Sequence, residues 1–200
     1  MTERPPTTRL PAAERRQQLL DVALQSFSQQ GFHQTSMNDI ADAAGVTKPV
    51  LYQHFGSKRD LFLELLRELG GRLREAVGKA AVEAGGPRQQ VENGMRAYFR
   101  WVEDHRAGFE ILFDGDTRRD REFMSEAAKV EGEIAETIAS LIVVDGLEPE
   151  RQRLLAYGIV GLSETTCRHW LHNKLDITPD DLAAQVAELA WGGLRGLRSA

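Results

Sequence analysis

Apolar residues recur at every third or fourth position along most of this chain, and no stretch alternates apolar with polar residues. The first pattern is typical of amphipathic α-helices and the second of β-strands, so the sequence predicts an all-α protein. Glycine, proline and capping residues divide the pattern into about nine helices. We place these helices at residues 11–30, 37–44, 48–55, 57–84, 87–105, 109–113, 119–144 and 149–173, and from 179 onward.

Two short helices joined by a tight turn are predicted near the N-terminus. Ser36, with Asp39 three residues later, is typical of a helix start. Gly45 supplies the positive φ that ends this helix, and Thr47 is expected to cap the next one. Pro49 falls in the first turn of that helix, where a missing N–H costs little. The stretch is therefore predicted to be a helix-turn-helix motif.

The second helix of this motif, residues 48–55, is predicted to have one side facing the core and one facing solvent. Steps of about 100° per residue place Leu51 and Phe55 together on the buried side, with Pro49 and Gln53 pointing away. Glutamine can bond bidentately to adenine, valine can touch a thymine methyl, and lysine and tyrosine can reach phosphates. The outward face, which therefore suits a groove of DNA, carries Lys48, Pro49, Val50, Tyr52 and Gln53.

Three predicted helix starts lie close together in this stretch, and free N–H groups at helix starts attract phosphate. They are marked by the pairs Thr35/Ser36, Thr47/Lys48 and Ser57/Lys58. A small helical hairpin with a merely solvated face is compatible with the same pattern. The joint occurrence of caps, glycine, buried pair and outward polar face favours DNA binding.

The run from Thr47 to Phe55, TKPVLYQHF, followed by GSKRDL, resembles the DNA-binding domain of TetR-type transcriptional regulators. The resemblance extends upstream through residues 19–31 and 35–45. It implies a homodimeric repressor that binds double-stranded DNA at a palindromic operator. It also implies a helical C-terminal domain that binds a small-molecule effector and forms the dimer.

The resemblance also implies roles for individual residues of the motif. Phosphate contacts are implied for Thr35, Thr47, Tyr52, His54 and Lys58. Contacts that read or line the bases are implied for Lys48, Pro49, Val50 and Gln53. Together with Ser36, these residues form the predicted DNA-binding set.

The aromatic residues beyond residue 87 have two interpretations. They are core residues, or they line an apolar cavity with a few polar groups, as small-molecule sites do. The resemblance implies a cavity between the equivalents of helices four to eight, so we expect a hydrophobic or aromatic effector of modest size. The predicted ligand-binding residues are Tyr98, Trp101, Val102, His105, Phe109, Phe113, Phe123, Ala127, Tyr157, Gly161 and Thr165.

The last helix carries a broad apolar face that needs a partner. That partner is either the core of its own domain or a second subunit. We favour a subunit interface, because the resemblance implies that the last two long helices pair into a four-helix dimer bundle. The predicted interface residues are Trp170, Leu182, Val186, Leu189, Ala190, Gly193 and Leu194.

The formal net charge of −5 argues against a nucleic-acid binder, but its distribution does not. Residues 1–59 contain seven Lys/Arg and five acidic residues, for a net charge of +2. The rest of the chain contains 18 basic and 25 acidic residues, for a net charge of −7. The predicted DNA-binding end is thus the positive part, and the acidic remainder would help to orient the molecule on DNA.

The sequence contains no set of residues with clear catalytic spacing. It has no Gly-rich phosphate loop, no G-x-S-x-G and no H-E-x-x-H. His169 and His172 lie three residues apart, but Cys167 is about 200° from His169 around the helix, and no carboxylate completes a metal site. We expect no cofactor, no metal and no enzymatic activity. The alternatives are an enzyme with a cofactor in its helical body and a constitutive DNA- or protein-binding module.

Domain organisation and location follow from the same features. We expect a flexible arm at residues 1–10, a helix-turn-helix domain at 11–56 and an effector-binding and dimerisation domain at 57–200. The single cysteine, Cys167, excludes a disulfide framework within the chain and suits a reducing compartment. No apolar run reaches membrane-spanning length, and the N-terminus lacks the apolar segment of a secretory signal. We therefore expect a cytoplasmic protein that does not bind membranes.

Overall fold

The computed structural model describes residues 10–114, 119–143 and 146–196. Over these ranges the chain forms nine helices and no strand, which confirms the predicted all-α class. The helices are α1 (Ala12–Gln30), α2 (Met37–Ala43), α3 (Lys48–His54), α4 (Lys58–Val82), α5 (Pro87–Asp104), α6 (Arg106–Phe113), α7 (Arg121–Leu141), α8 (Pro149–His172) and α9 (Pro179–Leu194). The predicted arm at residues 1–10 lies outside the described residues, apart from Leu10.

The chain divides into two compact units, Met1–Leu65 and Leu66–Ala200. The division falls inside α4, whereas the sequence placed the domain boundary at the start of this helix. Within the described ranges, no helix combines the length and the apolar character that crossing a membrane requires. The cytoplasmic location stays a prediction.

The N-terminal unit packs α1, α2, α3 and the first turns of α4 around an aromatic cluster. The ring of Phe27 on α1 meets Phe62 of α4 edge-on, with centroids 5.1 Å apart and planes at 81°. Phe32, just after α1, contacts the same Phe62 ring at 5.1 Å. Leu51 and Phe55 close this core from α3 and from its C-cap, at 0% and 3% exposure. Burial of these apolar side chains supplies the main stabilisation of the unit.

The C-terminal unit pairs α5 with α9 and α7 with α8. Its largest fully buried side chains are Phe99 on α5, Phe109 on α6 and Phe123 at the start of α7. The carboxylate of Asp120 caps α7 by accepting hydrogen bonds from the backbone N–H groups of Glu122 and Phe123.

The apolar face of α9 is buried within its own unit. Leu182, Val186 and Ala190 are at most 8% exposed, because α9 packs along α5. Trp170 of α8 is buried as well. The sequence assigned these four residues to a subunit interface, whereas packing within one chain already covers their side chains. The location of the interface stays a prediction. Of the other predicted interface residues, Leu189 and Gly193 are exposed and Leu194 is half-buried.

Helices α4 and α7 approach closely where Gly70 faces Val130. A Cβ on Gly70 would lie 2.3 Å from Val130 Cγ1 and 2.7 Å from Cγ2, far inside van der Waals contact. One turn earlier, Arg67 donates two hydrogen bonds to the buried Glu126 carboxylate, at 2.7 and 3.2 Å. These hydrogen bonds hold the pKa of Glu126 below its ordinary value. Glycine at position 70 therefore permits the approach, and the ion pair fixes the register of the two helices.

We predict that Gly70→Ala lowers the free energy of unfolding by roughly 1–3 kcal/mol, because the new methyl group overlaps Val130 in a packed interface. Gly71→Ala is the matched control. A Cβ at position 71 meets no atom within 4 Å, so alanine should stabilise α4 there by up to about 1 kcal/mol through its higher helix propensity. Urea unfolding followed by circular dichroism measures both values. Equal effects of the two substitutions would contradict the close approach of α4 and α7.

Candidate nucleic-acid interface and effector cavity

The turn between α2 and α3 forms as the sequence predicts. Ser36 and Asp39 make a reciprocal capping box at the start of α2, with N–H to oxygen distances of 3.2 and 2.8 Å. Hydrogen bonds from the Ser36 side chain and backbone to the Asp39 carboxylate hold the pKa of Asp39 below its ordinary value. Gly45 adopts a φ of +65°, in the left-handed region that favours glycine. Thr47 occupies the N-cap position of α3, but its side chain makes no cap hydrogen bond.

Helix α3 presents a polar face to solvent. Leu51 points into the core, whereas Tyr52 is 43% exposed. The other exposed residues of the predicted set are Ser36, Thr47, Lys48, Pro49 and Gln53, and Val50 and His54 are half-buried. The Lys48 ammonium lies 5.8 Å from the centroid of the Tyr52 ring, within cation–π range. This surface combines a positive charge, an aromatic phenol and an amide, the groups that contact phosphates and base edges.

Two predicted phosphate-binding side chains are instead engaged within the protein. Thr35 is 1% exposed, and its hydroxyl donates to the Gly31 carbonyl at 2.8 Å. Lys58 Nζ donates to the carbonyls of Phe32 at 2.6 Å, Thr35 at 2.8 Å and His33 at 3.4 Å. Since an ammonium group has three N–H donors, these carbonyls occupy all of them. Lys58 thereby ties the start of α4 to the loop between α1 and α2.

A separate cavity of about 350 Å³ lies within the C-terminal unit. Its walls come from the last turns of α4 and α7, the first half of α5, the middle of α8 and the end of α9. They are largely aliphatic, with Ile134 and Ile138 on one side and Ile159 and Val160 on another. The polar or charged residues at its border are Gln90, Tyr98, Ser163, Glu164 and Arg195. The volume and the apolar walls are in the range of small-molecule sites.

Most of the predicted ligand-binding residues lie outside this cavity, and their role in ligand binding stays a prediction. Only Tyr98 and Phe113 of that set border the cavity. His105 is half-buried and stacks on Trp101, with ring centroids 4.8 Å apart. Core positions are taken by Trp101, Val102, Phe109, Phe123 and Ala127. Exposed positions on α8, outside the cavity, are taken by Tyr157, Gly161 and Thr165.

Sequence analysis missed the aliphatic residues of α7 and α8. Ile134, Ile138 and Leu141 follow helical spacing and are indistinguishable in sequence from ordinary core residues. The structure shows that they border empty space. Residues His169 and His172, considered as metal ligands, lie on the exposed surface of α8. In the part of the chain that the structure describes, no three His, Cys, Asp or Glu side chains come together in a way that could hold a metal ion.

Comparison with known families agrees with this two-part organisation. A family model described as bacterial regulatory proteins, tetR family, matches residues 19–65. A second model, described as tetracyclin repressor-like, C-terminal domain, matches residues 87–193. The first contains α2 and α3, and the second contains α5 to α8 and all but the last residue of α9.

Individual proteins match over nearly the whole chain. The HTH-type transcriptional activator FasR of Mycolicibacterium smegmatis is 36% identical over 187 residues, which cover 93% of this chain and 85% of FasR. The HTH-type transcriptional repressor KstR2 of the same organism is 25% identical over 199 residues, covering 94% and 95% of the two chains. The crystal structure of FadR from Bacillus subtilis in complex with stearoyl-CoA has a TM-score of 0.76 at 19% identity, covering 91% of this chain and 99% of FadR. The last likeness shows a shared fold.

We predict that Lys58→Met lowers the free energy of unfolding by about 1–3 kcal/mol, because three backbone carbonyls lose their charge-assisted partner. Lys48→Met makes the same chemical change on the exposed face of α3 and should alter the stability by less than about 0.5 kcal/mol. Thermal and urea unfolding of the full chain measure both. If Lys58→Met weakens DNA binding but changes the free energy of unfolding as little as Lys48→Met does, Lys58 is a phosphate contact rather than an internal tie.

Proposed function

This chain belongs to the TetR family of bacterial regulatory proteins and is a DNA-binding transcriptional regulator, and we propose that it acts as a homodimer whose affinity for a palindromic DNA site falls when a largely apolar molecule fills the cavity of the C-terminal unit. The proposal assigns no catalytic activity to the chain. The observation that carries it is the exposed polar face of α3, held outward by the buried Leu51.

The exposed face of α3 supports sequence-specific binding in the major groove. Gln53 is free to approach base edges, and Lys48 and Tyr52 flank it for phosphate contacts. The exposed Thr47, whose side chain makes no cap hydrogen bond, adds a donor at the start of the helix. In a homodimer, two such helices would enter successive major grooves about 34–36 Å apart.

Exposed apolar residues on α8 and α9 support the homodimer. Leu154 and Tyr157 on α8 are 72% and 48% exposed, and Leu189 on α9 is 65% exposed. Gly158 and Gly161 lie on the same side of α8, and a Cβ built on either would meet no atom within 4 Å, so a second backbone could approach there closely. We propose that these exposed residues, rather than the buried Leu182 and Val186, form the subunit interface.

The aliphatic cavity supports an apolar effector. The FadR structure, which has the same fold, holds stearoyl-CoA, so an acyl chain is a suitable class of ligand to test here. Helix α4 contributes Val77 and Ala81 to the cavity and begins at Lys58 in the N-terminal unit. We propose that α4 couples the cavity to the DNA-binding unit. A bound effector then lowers the affinity for DNA, and bound DNA lowers the affinity for the effector.

The predicted repressor role belongs to this proposal. One relative that matches nearly the full chain is an activator and another is a repressor. The sign of regulation therefore depends on where the DNA site lies relative to the promoter. A site that overlaps the promoter would make this protein a repressor.

We predict that Lys48→Ala weakens binding to a DNA site selected from genomic fragments and lowers the slope of log K against log salt by about one, because one phosphate charge is no longer neutralised. Tyr52→Ala should weaken binding without changing this slope, since tyrosine is uncharged. Lys79→Ala, which removes an equally exposed lysine from the C-terminal unit, is the control for charge alone. Fluorescence anisotropy over a range of salt concentrations measures all three. Indistinguishable slopes for Lys48→Ala and Lys79→Ala would contradict the proposed role of α3.

We predict that Val160→Trp, which fills the cavity, abolishes the response to apolar ligands and preserves DNA binding by the free protein. The probes are stearoyl-CoA and a panel of uncharged hydrophobic compounds. The readouts are the melting temperature and the DNA affinity with and without each probe. Val82→Trp is the control, because Val82 is 72% exposed and does not border the cavity. A probe that still releases DNA from the Val160→Trp protein would place the effector site elsewhere.

A further inference from the structure

One polar group at the cavity stands apart from the rest. The side chain of Tyr98 on α5 borders the cavity and is 7% exposed. Within the described residues, its buried hydroxyl has no hydrogen-bond partner. The ring itself is well packed, edge-on to Phe99 with centroids 5.3 Å apart. Buried tyrosine hydroxyls usually have a partner, so this one is an unused donor at the wall of an apolar space.

The polar groups of α8 at the same wall are already paired with one another. Ser163 Oγ donates to the Ile159 carbonyl at 2.9 Å. The Glu164 carboxylate is paired with the Arg168 guanidinium. Arg168 also lies 3.2 Å from Asp114 Oδ1. Among the residues that the structure describes, Arg168 Nε is a second buried donor without a hydrogen bond, but Arg168 does not border the cavity. The Tyr98 hydroxyl is therefore the unpaired donor that a ligand in the cavity can bind without breaking an internal bond.

The surroundings of Tyr98 determine which ligand group it can bind. Burial, and then the nearby Cys167 thiol and Glu164 carboxylate, raise the pKa of Tyr98 well above its ordinary value, so the phenol stays a neutral O–H donor. Arg168 acts in the opposite direction, and Glu131 adds to the negative side. Because the carboxylates of Glu164 and Glu131 outnumber the one guanidinium, that of Arg168, an anionic ligand group is disfavoured near Tyr98. A neutral oxygen acceptor meets no such repulsion.

We propose that Tyr98 is a specificity-determining residue of the cavity, where it donates a hydrogen bond to a neutral carbonyl or alcohol oxygen carried within an otherwise apolar ligand. This inference rests on the proposed function to the extent that the cavity is the effector site. It narrows the ligand class: pure hydrocarbons leave the donor unpaired, and an anionic headgroup is repelled by the carboxylates of Glu164 and Glu131. A negatively charged end of the ligand must therefore remain away from Tyr98.

The test compares nonane with nonan-2-one, nonan-4-one and nonan-5-one, which differ only in the presence and position of one carbonyl. Calorimetry and the fluorescence of Trp191, which borders the cavity, report binding. We expect the best ketone to bind Tyr98→Phe about fivefold to tenfold more weakly than the wild type, the size of one net hydrogen bond. Nonane should bind both proteins equally or favour the variant.

Thr137→Val is the control, because it removes a hydroxyl at nearly constant volume from a half-buried residue of α7 that does not border this cavity. It should change neither affinity. A ketone-to-nonane preference that is the same in Tyr98→Phe and the wild type overturns the role of Tyr98 and leaves the effector cavity standing. If neither nonane nor any ketone binds the wild type while stearoyl-CoA and the apolar panel also fail, the proposed effector function is wrong and this inference falls with it.

A second readout needs no ligand. If the hydroxyl is reserved for the effector, Tyr98→Phe in the free protein should melt at the same temperature as the wild type or higher, because no internal hydrogen bond is lost. A lower melting temperature would show that a bound water or another group already satisfies the hydroxyl, and would overturn the proposal.

Discussion

Burial of Leu51 and Phe55 fixes the rotation of α3 about its axis. A helix of seven residues has little stability of its own, so its form depends on packing against the rest of the N-terminal unit. Once these two side chains are anchored, the helical geometry forces Gln53 and Tyr52 outward. The same core is held by Phe27, Phe32 and Phe62, and the chemistry of the surface follows from the packing beneath it.

In the C-terminal unit, apolar burial rather than ion pairing holds the helices together. Arg100 and Asp180 form a bidentate pair between α5 and α9, but their side chains are 57% and 48% exposed. Exposed pairs of this kind contribute little to stability, because water and salt screen their charges. Leu182, Val186 and Ala190 of α9 are buried where this helix packs along α5, and both helices also border the cavity. The same two helices therefore contribute to core packing and to the cavity wall.

The sequence predicted what depends on local periodicity and missed what depends on tertiary packing. The orientation of α3 followed from the four-residue spacing of Leu51 and Phe55. The pocket did not follow from the aromatic residues, because Phe109 and Phe123 pack into solid core, whereas the empty space borders aliphatic residues such as Ile138. The apolar face of α9 was visible in sequence, but periodicity cannot tell whether α5 or another subunit covers it. The hydrogen bonds of Lys58 to three carbonyls of a distant loop could not be predicted either, because a lysine's partners are invisible in sequence.

The burial of Cys167 has a practical consequence for studying this regulator. It is the only cysteine of the chain, it is completely buried, and burial raises its pKa to about 12. Since the thiolate is the reactive form, maleimides and methanethiosulfonates will modify it slowly in the folded protein. A cysteine introduced on an exposed turn would thus accept a spin label or a dye selectively in the otherwise native chain, which opens the distance between two such labels to direct spectroscopy.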